Sequence, residues 1–234
     1  MKIIKKTTPH YSSRSNWVAD MICCHQTSGS IKSCINWFAN PDSQVSSHFA
    51  VAKDGTVYQF VGIDKMAWCN GTNTTDRSKS NHYSKSPNAL IRERKANANK
   101  YTVSIEFENK DTGILTEAQY KAGLELMIYI IGEIKRLYGV NFKIDRDHLI
   151  GHCDCSPKNK AFCPGKDFPF DLYLNDLKAY YHASSALDKI ATEKISAANK
   201  KIPHPAVKDD PYVKEVIDKT KGFFGNAIRK FFIK

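Results

Sequence analysis

The sequence predicts an α/β fold, a central mixed β-sheet flanked by helices, and three observations predict it. Short apolar runs of strand length recur along the chain, as in "DMICCHQT" and "YTVSIEFEN". Segments with apolar residues at helical spacing, bounded by capping residues, alternate with those runs. The composition, 41% hydrophobic and 25% charged over 234 residues, supplies a sizeable core without the bias of a disordered or fibrous chain. Strands alternating with helices point to a layered α/β domain.

Each element follows from local chemistry. "DMICCHQT" reads as a buried strand ending at His25. "SIKSCINWFANP" reads as a helix with Ser30 as N-cap, Ile31, Cys34, Ile35 and Phe38 as its apolar stripe, and Pro41 past its end. "SSHFAVAKDGTVYQFVG" reads as a hairpin around "KDGT". Residues 70–100 are rich in Asn, Ser, Thr, Lys and Arg, and a polar connection of that length is either functional or mobile. "YTVSIEFEN" is a strand with Val103, Ile105 and Phe107 on one face. "TEAQYKAGLELMIYIIGEIKRLYG" is the clearest helix, opened by a Thr116/Gln119 capping box and stopped by Gly139. "DLYLNDLKAYYHA" closes the domain as a last helix, giving a domain of residues 1–182. Beyond it the composition shifts to Ala, Lys and Ser and then to "IPHPAVKDDP", read as a linker over 183–211. Residues 212–234 place Val213, Val216, Ile217, Phe224, Ile228 and Phe231 on one face with lysines opposite, a basic amphipathic helix. Such a helix suits an anionic membrane surface or envelope polymer, and equally a face packed on the domain.

Charge and cysteine usage set bounds on function. The net charge is +11, which favours polyanionic partners. Nucleic acid is not expected among them, because the chain shows neither a recognition motif nor a basic-aromatic array. No stretch approaches the roughly 20 apolar residues that span a bilayer. The basic start lacks an apolar h-region, so no secretory signal is expected. Seven cysteines, an odd number with two adjacent, do not form the even framework of a secreted disulfide scaffold. Synthesis in a reducing cytoplasm is expected, with most cysteines structural.

The densest group of reactive residues is "GHCDCSPKNKAFCPG", Gly151 to Gly165. Cys153 and Cys155 are too close for a C-x-x-C knuckle, and no second Cys/His pair follows at zinc-finger spacing. Nothing singles out one thiol as a nucleophile. His152 ends a short segment, as His25 ends a strand. Two such histidines with a Cys or Asp nearby make a three-ligand zinc site that keeps its fourth position for water, although a histidine at a strand end is also a common buried core residue.

"CCHQTSGS", "SSHFAVAKDGTVYQFV", "MAWCNG", "TVSIEFEN" and "IGHCDCSPKNKAFCPG" occur in that order. Together they resemble the zinc-dependent type 2 N-acetylmuramoyl-L-alanine amidases, which share a fold with peptidoglycan-recognition proteins and short phage lysins. The resemblance covers about residues 15–182 and implies that fold, with the helical tail appended. It implies one Zn2+ held by His25, His152 and Cys163, with Glu106 handling the attacking water. His48, Trp68 and Asn70 fall near the family's substrate groove. A catalytic lysine in the family, which stabilises the oxyanion, stands two residues before the third ligand, and the resemblance points to Lys160 for that role. Here Ala161 occupies that position and Lys160 lies one residue further off. Cys69 stands where the family has a histidine, and Ser47 where some phage members have a tyrosine. The implied activity is cleavage of the amide between N-acetylmuramic acid and L-alanine in peptidoglycan, in a phage endolysin made in the cytoplasm and acting on the wall. A cytosolic recycling amidase and a non-catalytic peptidoglycan-binding protein are the alternatives.

Overall fold

The computed structural model describes residues 1–201. The described residues fall into two compact units, one of residues 1–177 and one that begins at residue 178. In the first unit, six strands form one sheet in the order β1-β5-β4-β7-β3-β8: β1 (Ile3–Lys5), β3 (Met21–Gln26), β4 (Phe49–Val51), β5 (Val57–Gln59), β7 (Thr102–Phe107) and β8 (Leu149–Gly151). Only β4 and β5 pair antiparallel, as the expected hairpin, so the sheet is mixed. A separate ribbon joins β2 (Tyr11–Ser13) to β6 (Lys65–Ala67). The helices are α1 (Ile31–Ala39), α2 (Ala89–Arg94), α3 (Glu117–Tyr138), α4 (His152–Cys155) and α5 (Phe170–Lys201).

The centre of the sheet explains its sequence. β3 lies between β7 and β8, parallel to both, and Met21 to His25 are buried without alternation. A parallel strand covered on both faces needs apolar or satisfied side chains on each, hence the run "MICC". β7 departs from the expected one-faced alternation for the same reason. Thr102 and Ser104 are as buried as Val103 and Ile105, and their hydroxyls bond inward, Thr102 to the Ala98 carbonyl and Ser104 to Ser47 and His48.

The caps fall where expected. Ser30 accepts from the Ser33 amide at the start of α1, while Glu108 Oε1 accepts from the Ile31 amide and Oε2 from the Lys53 amide. That carboxylate ties the α1 N-terminus to the β4–β5 turn and favours it electrostatically. Cys34 and Phe38 of α1 pack with Ala50, Phe60, Val61 and Ala67 over the hairpin. α3 has its Thr116/Gln119 capping box and ends at Gly139 with φ 68°, and it buries Leu126, Met127, Ile130 and Ile134. Gly123 leaves room on α3 for Tyr173 and Phe107, which any Cβ there would meet.

Segment 70–100 is folded. Two short 3-10 turns flank α2, with His82, Asn88 and Asn97 accepting from backbone amides at the three starts. Its Asn-rich composition therefore supplies caps. α5 begins at Phe170 and runs through Lys201, so the helix expected to end near 183 continues where the linker was expected to begin. Ala and Lys are good helix formers, and no Pro or Gly interrupts them before Pro203. Residues 202–234, with the rest of the linker and the amphipathic tail, lie outside the described residues. Among the described residues no helix is long and apolar enough to cross a membrane.

Candidate active site

Three neighbouring parallel strands deliver the site. In register, His25 on β3 sits directly opposite Glu106 on β7, and Cys24 opposite Gly151 on β8. His152 follows Gly151, so two imidazoles and a carboxylate emerge at one level from the carboxyl ends of the strands. Ligand sites of open parallel sheets lie there. His25 Nδ1 is 3.0 Å from His152 Nδ1 and 3.9 Å from Glu106 Oε1. Cys163 joins them from the loop after α4. Its amide donates to the Lys160 carbonyl, its carbonyl accepts from the Cys153 amide, and its Sγ accepts from the Gln26 amide at 3.4 Å. One ligand atom from each of His25, His152 and Cys163 lies within 4.8 Å of the others.

Burial sets the charge states. It pushes His25 well below the ordinary imidazole range, helped by His152, and holds His152 at about 4, with Lys160 as the second cause. Both rings are therefore neutral at physiological pH and present lone pairs. Burial, and then the Glu106 charge, raise the Cys163 thiol to about 12. Burial raises the Glu106 carboxyl to about 8, opposed by the Lys160 ammonium. Glu106 Oε2 and His25 Nε2 have no hydrogen-bond partner among the described residues. A buried carboxylate oxygen without a partner is costly in a folded core and is an expected feature of a reactive site.

These groups form part of the wall of a cavity of about 720 Å³, which Ser33, Cys34 and Trp37 of α1 and Asn159 to Cys163 also line. Lys160 is on this wall. The Cys163-to-Lys160 hydrogen bond, 3.0 Å, closes a turn whose two ends lie together, so the one-residue offset does not remove the lysine.

The structure does not bring His48, Trp68 and Asn70 to the cavity wall. His48 is 1% exposed and lies between Ser104 and the guanidinium of Arg14. Burial and that positive charge depress it to about 3. Trp68 turns its indole N–H to Ser12 Oγ and packs on His10. Asn70 is buried, and its carbonyl accepts from His152 Nε2 at 3.3 Å. That bond places the ring proton on Nε2 and leaves Nδ1 free toward His25. Asn70 thus orients the histidine. Asn99, which sequence reasoning missed, holds Asn70 in place: its Oδ1 accepts from the Asn70 amide at 2.8 Å and the Cys69 amide at 3.4 Å. Arg14, also missed, donates to the carbonyls of Ile63, Asn99, Lys100 and Thr102. Neither residue carried a motif in the sequence. Cys155 packs in a core cluster with Met21, Cys23 and Tyr101, and all seven cysteines are free thiols.

Two imidazoles, a thiol and an unpartnered carboxylate at the strand ends of a mixed sheet are the donor set and proton acceptor that a metal-dependent hydrolase needs. The sequence model for N-acetylmuramoyl-L-alanine amidase matches residues 15–166, and the chain belongs to that family. The 1,6-anhydro-N-acetylmuramyl-L-alanine amidase AmpD of Haemophilus influenzae is 29% identical over 136 residues, 58% of this chain and 60% of the relative. The N-acetylmuramoyl-L-alanine amidase A of Achromobacter lyticus is 28% identical over 186 residues, 72% of this chain and 88% of the relative. Among solved structures, an AmpD selenomethionine derivative superposes with a TM-score of 0.52 at 21% identity, covering 75% of this chain and 93% of that one, a likeness of fold. The chain spans about three fifths of the AmpD sequence it matches.

Proposed function

We propose that the protein hydrolyses the amide between the lactyl group of N-acetylmuramic acid and L-alanine in peptidoglycan. The observation that carries this reading is the His25/His152/Cys163 donor triad with Glu106 beside it. The triad fits Zn2+ by the chemistry of its donors. Two imidazole nitrogens and a thiol sulfur within 4.8 Å of one another are donors that would hold Zn2+. Bound there, zinc would polarise the scissile carbonyl and lower the pKa of a water to about 7.

The chain's own residues supply the rest. Glu106 accepts a proton from the attacking water and returns it to the departing amine, a role suited to a carboxyl held near neutrality. A cation at the triad favours its ionised form. Lys160 on the cavity wall offers positive charge to the carbonyl oxygen as it becomes negative. Asn70 and Asn99 hold His152 in its ligating tautomer.

We further propose that the enzyme acts on the intact wall as an endolysin, made in the cytoplasm and released to its substrate, with the basic tail engaging an anionic membrane or envelope polymer. The net charge of +11 supports this. A second reading, recycling of soluble cytosolic muropeptides, is favoured by the anhydro-sugar named in the AmpD relatives. One experiment separates them: incubate the zinc-loaded protein with intact sacculi and with anhydromuramyl peptides, with and without chelator, and quantify new L-alanine amino termini. Chelator-sensitive release from sacculi is expected. Release from the soluble peptides alone selects recycling, and release from neither refutes the amidase.

A further inference from the structure

Two aromatic rings at the cavity mouth are not used by the fold. Phe162 is 74% exposed, the most exposed large apolar side chain among the described residues, and Trp37 is 53% exposed. Both line the cavity that holds Glu106 and the donor triad. Neither ring contacts another aromatic among the described residues, and the Trp37 indole N–H has no partner there. Burying an aromatic ring is favourable, so two left in water beside a reactive cleft represent binding energy that folding does not use.

Their positions follow from the local structure. Ser33, Cys34, Trp37 and Phe38 of α1 all line the cavity, and Cys34 and Phe38 also pack over the hairpin, which leaves Trp37 as the α1 ring exposed there. Phe162 sits at the tip of the Lys160–Cys163 turn, immediately before Cys163. Because Lys160 lies three residues before Cys163, the turn has one more residue at its tip, and that tip carries a phenyl ring at the rim.

We propose that Trp37 and Phe162 form the platform for the pyranose rings of the substrate's glycan, an inference that rests on the amidase reading. The lactyl carbonyl under attack is ether-linked to the sugar, so a pyranose must lie a few bonds from the cavity floor. A pyranose presents a face of C–H groups that packs on an aromatic ring, while its hydroxyls stay in the water at an open rim. Aromatic rings give nothing to the carboxylates of a stem peptide.

The test uses the full-length zinc-loaded Glu106→Gln protein, which retains the cleft and turns over too slowly to consume the ligand during a titration. Calorimetry compares a disaccharide-peptide, N-acetylglucosaminyl-N-acetylmuramyl-L-alanyl-D-isoglutamine, with D-lactyl-L-alanyl-D-isoglutamine, which lacks the sugars. Trp37→Ala and Phe162→Ala should each weaken the disaccharide-peptide about tenfold, leave the lactyl-peptide within about twofold, and leave zinc content unchanged. Trp37→Phe should restore most of the loss. In the active background, KM for the disaccharide-peptide should rise with kcat within about threefold. Equal losses on both ligands, which would assign the rings to the peptide, overturn the platform, as does no loss on either. Hydrolysis by the unsubstituted enzyme is scored separately, so a failed platform is distinguishable from a failed amidase. Binding of neither ligand overturns the platform outright.

Discussion

Glu106 gives the sharpest quantitative prediction, because what suits it to the proposed role also weakens the fold. Its side chain is 13% exposed and its Oε2 has no partner. Burial raises its pKa from 4.5 to about 8. A carboxyl raised above its unfolded value favours folding only while protonated. The penalty is therefore absent below pH 4.5, grows as pH rises toward 8, and flattens above it. Each tenfold in proton affinity is about 1.4 kcal/mol, so full ionisation costs at most about 5 kcal/mol, of which about 3.5 accrues between pH 5 and pH 8. Glu106→Gln keeps the volume and removes the charge. In metal-free protein the variant should gain on the parent by about 2–4 kcal/mol over that interval, the lower figure allowing for the partial exposure. Urea unfolding of both chelated proteins at pH 5, 6.5 and 8 measures it. The same substitution should lower amide hydrolysis by about 100-fold or more, the scale of general-base loss. Unfolding free energies that run parallel from pH 5 to pH 8 would refute the argument, because a Glu106 that ionises normally is neither buried nor poised.

Two further expectations concern the donor triad. Because the Cys163 thiol is held at about 12, zinc binding at pH 7.5 should release one proton, seen by calorimetry in buffers of different ionisation enthalpy. Cys163→Ser should lose that proton and weaken zinc binding about 100-fold, whereas Cys153→Ser should leave both nearly unchanged. Asn99→Ala removes the acceptor that fixes the Asn70 peptide, so zinc affinity measured by chelator competition should fall about tenfold, as when an outer-shell partner is lost. Asn99→Asp retains the acceptor and should recover most of it.

The parts of this molecule legible in its sequence are those where local chemistry repeats. α3 declared itself through its capping box, its apolar stripe and Gly139, and β3 through an unbroken apolar run. β1, β2 and β6 did not, because three residues are too few for a period to register. The order of motifs pointed to His25, Glu106, His152 and Cys163, and the structure gathers them. Order says nothing about which way a neighbouring side chain turns. His48 flanks β4 yet faces Arg14 and Ser104, and Asn70 meets His152 through its backbone, which no residue type announces. Lys160 shows the same limit from the other side. Counted along the chain it is misplaced by one residue, but the ends of the Lys160–Cys163 turn come together and the lysine still reaches the cavity wall. What the extra residue changes is the tip of the turn, where Phe162 stands exposed. A shift in spacing along the chain therefore does not by itself remove a side chain from the cavity wall. It alters whatever the intervening residues present to the substrate, and in this chain that is an aromatic ring at the mouth of the cleft.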